Sequence, residues 1–106
     1  MSDSVMASHI LLMYRGSMRS TASRTKEDAL AKMEEMKVAL DKGADFADLA
    51  RTNSDCPSGE EGGNLGLFGR GEMVPEFEAA AFGLPVGGVS GVFETSFGYH
   101  IVKRTR

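Results

Sequence analysis

The chain has 106 residues, 42% apolar and 25% charged, with thirteen glycines and a formal charge of −3; this composition indicates one globular domain over 1–106, not two domains or a disordered chain. The acidic balance excludes a nucleic-acid backbone as the main partner, and a single cysteine with two distant histidines provides neither an internal disulfide nor a structural zinc spacing. No segment approaches the roughly 20 apolar residues of a transmembrane helix, and the polar opening Met1-Ser2-Asp3-Ser4 is no signal-peptide start, so a cytoplasmic protein without a membrane partner is expected, the alternative being a domain of a longer secreted chain.

The short apolar run from Met6 to Tyr14 reads as a buried strand, on which His9 shares a face with Leu11 and Met13. Arg15 to Arg24 lacks hydrophobic period and reads as a loop carrying three arginines. Thr25 can cap a long helix, with Leu30, Met33, Lys37 and Leu40 at helical spacing and Gly43 as its stop. Asp45 caps a second, short helix with Phe46, Leu49 and Ala50 inward, ending near Asn53. A glycine-rich stretch from Ser54 to Gly71 leaves room for one strand at Leu65 to Phe68. Pro75 opens a third helix with Phe77, Ala80 and Ala81 inward, and Val92 to Thr95 with Tyr99 to Arg104 form a closing hairpin. The fold class is therefore α+β with a small antiparallel sheet. If the first and last strands pair, His9 and His100 become neighbours.

Nucleotide chemistry drops out, since no Walker lysine follows a glycine loop and no G-x-G-x-x-G spacing occurs. Taken singly, the remaining candidates have bland readings. A lone cysteine is more often a small buried hydrophobe than a nucleophile, and a strand histidine is more often a hydrogen-bonded core residue than a catalyst. Met33 and Met36 suit simple helix packing.

Together these residues form an ordered pattern: Ala7-Ser8-His9-Ile10-Leu11, Asp45 to Ala50, Ser54-Asp55-Cys56-Pro57-Ser58-Gly59, Gly62 to Phe68, Gly71-Glu72-Met73-Val74-Pro75-Glu76-Phe77 and Phe97-Gly98-Tyr99-His100-Ile101-Val102-Lys103. Over about residues 6 to 105 this closely resembles the parvulin family of peptidyl-prolyl cis/trans isomerases. The resemblance implies a four-stranded antiparallel sheet wrapped by about four helices, with His9 and His100 side by side beneath the active site. Cys56 matches the family's Cys-or-Asp position at the edge of that site. Leu65, Met73 and Phe77 match the apolar pocket for the substrate proline ring, Phe68 supports the pocket from below, and Thr95 matches a hydroxyl residue of the site.

The implied reaction is rotation about X–Pro bonds in peptides and partly folded proteins, with no metal, no cofactor and a monomeric enzyme. The twisted amide is stabilised without a covalent intermediate, the histidines setting hydrogen bonds around Cys56 and the rotating group rather than moving protons. Two other readings stand beside it. One is a peptide-binding or chaperone module with little turnover; the other is a cysteine hydrolase, disfavoured because no oxyanion hole is recognisable. Arg15 and Arg19 are candidate anion-binding residues for an acidic or phosphorylated residue before proline. Met13 and Tyr14 stand where phosphate-directed relatives place a basic residue, so at most a modest phosphate preference is expected.

Overall fold

A computed structural model describes residues 4–18, 20 and 22–106 of the chain. In chain order come β1 (Ser4–Leu12), α1 (Lys26–Asp41), α2 (Phe46–Asn53), a short 3-10 helix (Pro57–Glu61), β2 (Asn64–Gly69), α3 (Pro75–Phe82), β3 (Phe93–Thr95) and β4 (Gly98–Arg104). The four strands make one antiparallel sheet in the order β2-β1-β4-β3, so the first and last strands pair at its centre. Among the described residues, three α-helices and a 3-10 turn stand for the four helices expected, and no helix is long and apolar enough to cross a membrane.

The caps read from sequence are made. Thr25 Oγ1 accepts the Asp28 N–H at 3.1 Å and the Asp45 carboxylate accepts the Asp48 N–H at 3.0 Å, each satisfying an orphan donor of a first helical turn. β1 differs from expectation at both ends. It pairs with β2 from Ser4 onward and stops at Leu12, because the next two N–H groups leave the ladder. Met13 donates to Asp55 Oδ2 at 2.8 Å and Tyr14 to Ser17 Oγ at 3.2 Å.

Alternation along the central strands divides the interior in two. One face of the sheet packs Ile10, Leu12, Tyr99 and Ile101 against α1 and α2. The buried stripe of α1 is Ala29, Met33 and Met36, one position round from the expected Leu30, Met33, Lys37 and Leu40. Leu30 and Leu40 are only half-buried, and Lys37 pairs with Asp41 at 3.1 Å. The small Ala29 side chain lets the helix approach the sheet, and the leucines flank that contact. The other face packs Val5, Ala7 and Val102 against Phe68, Phe77 and Ala81; of the residues expected inward on α3, Ala80 is half-buried.

Two glycines make the centre possible. Gly63 has φ of 84°, and its carbonyl accepts the His9 N–H at 2.9 Å. A Cβ there would collide with the His9 carbonyl oxygen. Gly98, at φ of 144°, opens β4 beside the Leu12 carbonyl, where a Cβ would collide likewise. In both places glycine is required for positive φ and for close backbone approach.

Candidate active site

His9 and His100 stand on the same sheet face, with His9 opposite Val102 and His100 opposite Leu11 in the β1–β4 register. They are therefore diagonal neighbours, and their Nδ1 atoms lie 3.3 Å apart. His100 Nε2 is 2.7 Å from Thr95 Oγ1, which also accepts the Phe97 N–H at 3.2 Å. His9 Nε2 is buried without a hydrogen-bond partner. An orphaned buried N–H is rarer than an orphaned acceptor. That preference assigns the His9 proton to Nδ1, donating to His100 Nδ1, and the His100 proton to Nε2, donating to Thr95.

Burial holds both imidazoles neutral, depressing His9 from 6.5 to about 4 and His100 to about 3, the latter with a contribution from repulsion by His9. Aromatic rings supply the surroundings. Phe93 stacks on His100 at 5.3 Å, and Phe77 presents edge contacts to both histidines at 5.4 and 5.6 Å.

Above this floor opens a cavity of about 520 Å³. His9, Leu11 and Met13 form its β1 side, and Cys56 and Pro57 come from the start of the 3-10 helix. Leu65, Glu72, Met73, Val74 and Phe77 come from β2, α3 and the segment between them, while Phe97 and His100 complete the lining from the β3–β4 hairpin. The expected trio Leu65, Met73 and Phe77 is thus on one wall. Phe68 is not; it is buried behind Phe77, ring centroids 6.0 Å apart, and supports the wall without touching the cavity. Thr95 is likewise buried beneath the lining and reaches the site through His100.

Cys56 is half-buried, and its sulfur accepts the Ser58 hydroxyl at 3.2 Å. Among the described residues no hydrogen bond joins it to either histidine, so the expectation that the histidines set hydrogen bonds around Cys56 is corrected: the two belong to separate networks. The segment leading to Cys56 is laid along the end of β1, with Ser54 Oγ accepting the Leu11 N–H at 3.1 Å and the Asp55 N–H donating to the Leu11 carbonyl at 2.7 Å.

Beside the site, Arg24 donates to Asp55 at 2.5 Å and to the Met13 carbonyl at 2.9 Å, so its charge is met. These residues line a smaller polar cavity of about 320 Å³ that shares Met13 with the first. Arg15 is exposed, its guanidinium donating to the Ser23 carbonyl at 3.4 Å and its backbone N–H to the Arg24 carbonyl at 2.9 Å. Arg19 lies outside the described residues. Phe97, Pro57 and Glu72 also line the cavity; all three stand in the blocks of the sequence pattern, which by itself gave them no role. Among the described residues no group of three or more His, Cys, Asp or Glu is placed to hold a metal.

An α+β fold whose central strands carry a neutral histidine pair under an apolar cavity is the parvulin arrangement. The family model described as a PPIC-type PPIASE domain matches residues 1–106. The chain is 40% identical to "Peptidyl-prolyl cis-trans isomerase Pin1" of Digitalis lanata over 98% of each chain. It is 48% identical to the foldase protein PrsA of a Geobacillus species over 87% of this chain and 33% of that one. Among solved structures, the peptidyl-prolyl isomerase ESS1 of Candida albicans superposes with a TM-score of 0.90 at 37% identity, covering 97% of this chain and 63% of that chain. The chain belongs to the parvulin-type, PPIC-like family of peptidyl-prolyl cis-trans isomerases.

Proposed function

We propose that the X–Pro bond of a peptide or partly folded protein turns in this cavity, with the proline ring against Leu65, Met73 and Phe77. The observation that carries the reading is an apolar cavity lying directly over two neutral imidazoles. Rotation faces a barrier of about 18–20 kcal/mol because the amide loses resonance as it twists. The twisted amide is less charge-separated than the planar one, so a dry apolar wall favours it relative to water. Holding the ring leaves the preceding carbonyl to swing past Cys56, with no bond made or broken. Both histidines, neutral near pH 7, have no proton to lend as imidazolium; they position Thr95 and the floor.

The polarity of the Met13 side supports an enzyme with little phosphate preference. There the Arg24 guanidinium is already held by Asp55, and Met13 offers no charge. A monomer acting in the reducing cytoplasm fits one unpaired, half-buried cysteine, and light scattering of the purified chain tests the monomer.

The test is protease-coupled isomer exchange on a short Ala–Pro peptide. The wild-type chain is expected to accelerate exchange, and Met73→Ala to lower kcat/KM about tenfold through lost contact with the ring. Binding without acceleration would instead identify a peptide-holding module. Met73 is the better probe because Phe77 is both wall and core, 3% exposed and in contact with Phe68 and Phe93. Truncating Phe77 removes packing of about 3–5 kcal/mol along with the pocket.

A further inference from the structure

Among the described residues, Glu72 is the one carboxylate in the cavity lining, set beside Met73 on an otherwise apolar wall. The side chain is folded back onto its own turn: Oε2 accepts the Gly69 N–H at the end of β2, and the Glu72 N–H returns to the Gly69 carbonyl at 3.4 Å. This contact holds the carboxylate at the rim of the cavity. Among the described ion pairs none involves Glu72; the nearby Arg70 guanidinium lies over the Phe82 ring at 4.3 Å and 3.9 Å from Glu78. The Gly71 N–H is also taken by Glu78, at 2.6 Å. Across the cavity, the charges next to Met13 cancel in the Arg24–Asp55 pair. The lining itself therefore contributes a negative charge on the Met73 wall.

We propose that Glu72 selects substrates with a cationic side chain immediately after the proline. The inference rests on the pocket reading above. With the ring against Met73 and Phe77 and the preceding residue toward Met13, the chain leaving the ring passes Glu72. A Lys or Arg there meets the carboxylate at an exposed rim, and a Glu there meets like charge. Single exposed pairs of this kind shift an equilibrium by small factors, so attraction and repulsion together give a several-fold ratio that salt screens.

The experiment compares kcat/KM for peptides of the form Ala-Ala-Pro-X and X-Pro-Ala-Ala with X as Lys, Ala or Glu, using the full chain. The expected wild-type ratio of Lys to Glu after proline is about fivefold at low salt, shrinking as ionic strength rises. Glu72→Gln removes most of the ratio and Glu72→Lys inverts it. Glu34→Gln, an equal charge change on the exposed side of α1, leaves the ratio as it is. The proposal is overturned if Glu72→Gln keeps the wild-type ratio, if Glu34→Gln lowers it equally, or if the preference follows the residue before proline. Met73→Ala in the same assay separates the two readings. A wild-type ratio near one with Met73→Ala slowed removes the role of Glu72 and leaves the pocket; wild-type rates in Met73→Ala remove the pocket itself.

Discussion

The two faces of the sheet are built from the same two central strands and do opposite things. Beneath α1, Ile10, Leu12, Met33 and Ile101 are entirely sealed from solvent. On the other face, His9, Leu11 and His100 look into an open cavity. The difference is one of cover. α1 has 16 residues and α3 only 8, about 24 Å against about 12 Å of helix. The long helix closes its face together with α2; the short one covers Val5, Ala7 and Val102 and stops, leaving the rest of the strands as the floor of a site. A site thus arises where helical cover runs out, and its chemistry is that of whatever the strands present there.

This contrast can be broken most forcefully on the closed face. Met33→Ala should lower unfolding free energy by about 2–5 kcal/mol in urea denaturation, with kcat/KM per folded molecule close to wild type; a matching loss of turnover would show the faces to be coupled. On the open face the buried imidazoles make stability depend on pH. Both are neutral in either state above about 6.5, and as pH falls toward 4 only the unfolded chain binds protons, so stability is lost on acidification. The slope is about 1.4 kcal/mol per pH unit for each histidine. Urea midpoints at about pH 7 and about pH 5 measure it, and an unchanged midpoint would mean that the imidazoles are solvated.

A smaller effect is expected at Cys56, whose sulfur accepts the Ser58 hydroxyl. Cys56→Asp should keep kcat/KM within about tenfold of wild type, because rotation needs no thiolate. Abolished exchange in a folded variant would restore the nucleophile reading. The smallest effect concerns phosphate. Phosphoserine–Pro over Ser–Pro peptides should show only a modest rate advantage, little altered in Arg15→Ala/Arg19→Ala. A preference above about a hundredfold that vanished in the double variant would overturn this.

Local signals carried most of the fold. Thr25, Asp45 and Pro75 announced their helices because capping is a matter of a few adjacent atoms, and the histidine pairing followed once β1 and β4 were taken as partners. The α1 stripe was read one position off because apolar leucines outweighed Ala29, whose value lies in being small. For the site, Leu65, Met73 and Cys56 were legible through their pattern in the chain. Phe97 and Glu72 were not, since their place on the rim depends on how a hairpin and a turn fold over the sheet. Separate networks for Cys56 and the histidines were equally hidden, because Ser58 becomes its partner only through the 3-10 turn.

The histidine contact joins residues 91 positions apart, and this bears on how the molecule forms. Pairing β1 with β4 closes a loop of nearly the whole chain before its contacts can repay the lost entropy, and such distant pairing slows folding. Until β4 arrives, β1 lacks its central neighbour, and the apolar flank of that strand stays open to other chains. The imidazole pair is therefore assembled in the same event that joins the first strand to the last and completes the sheet.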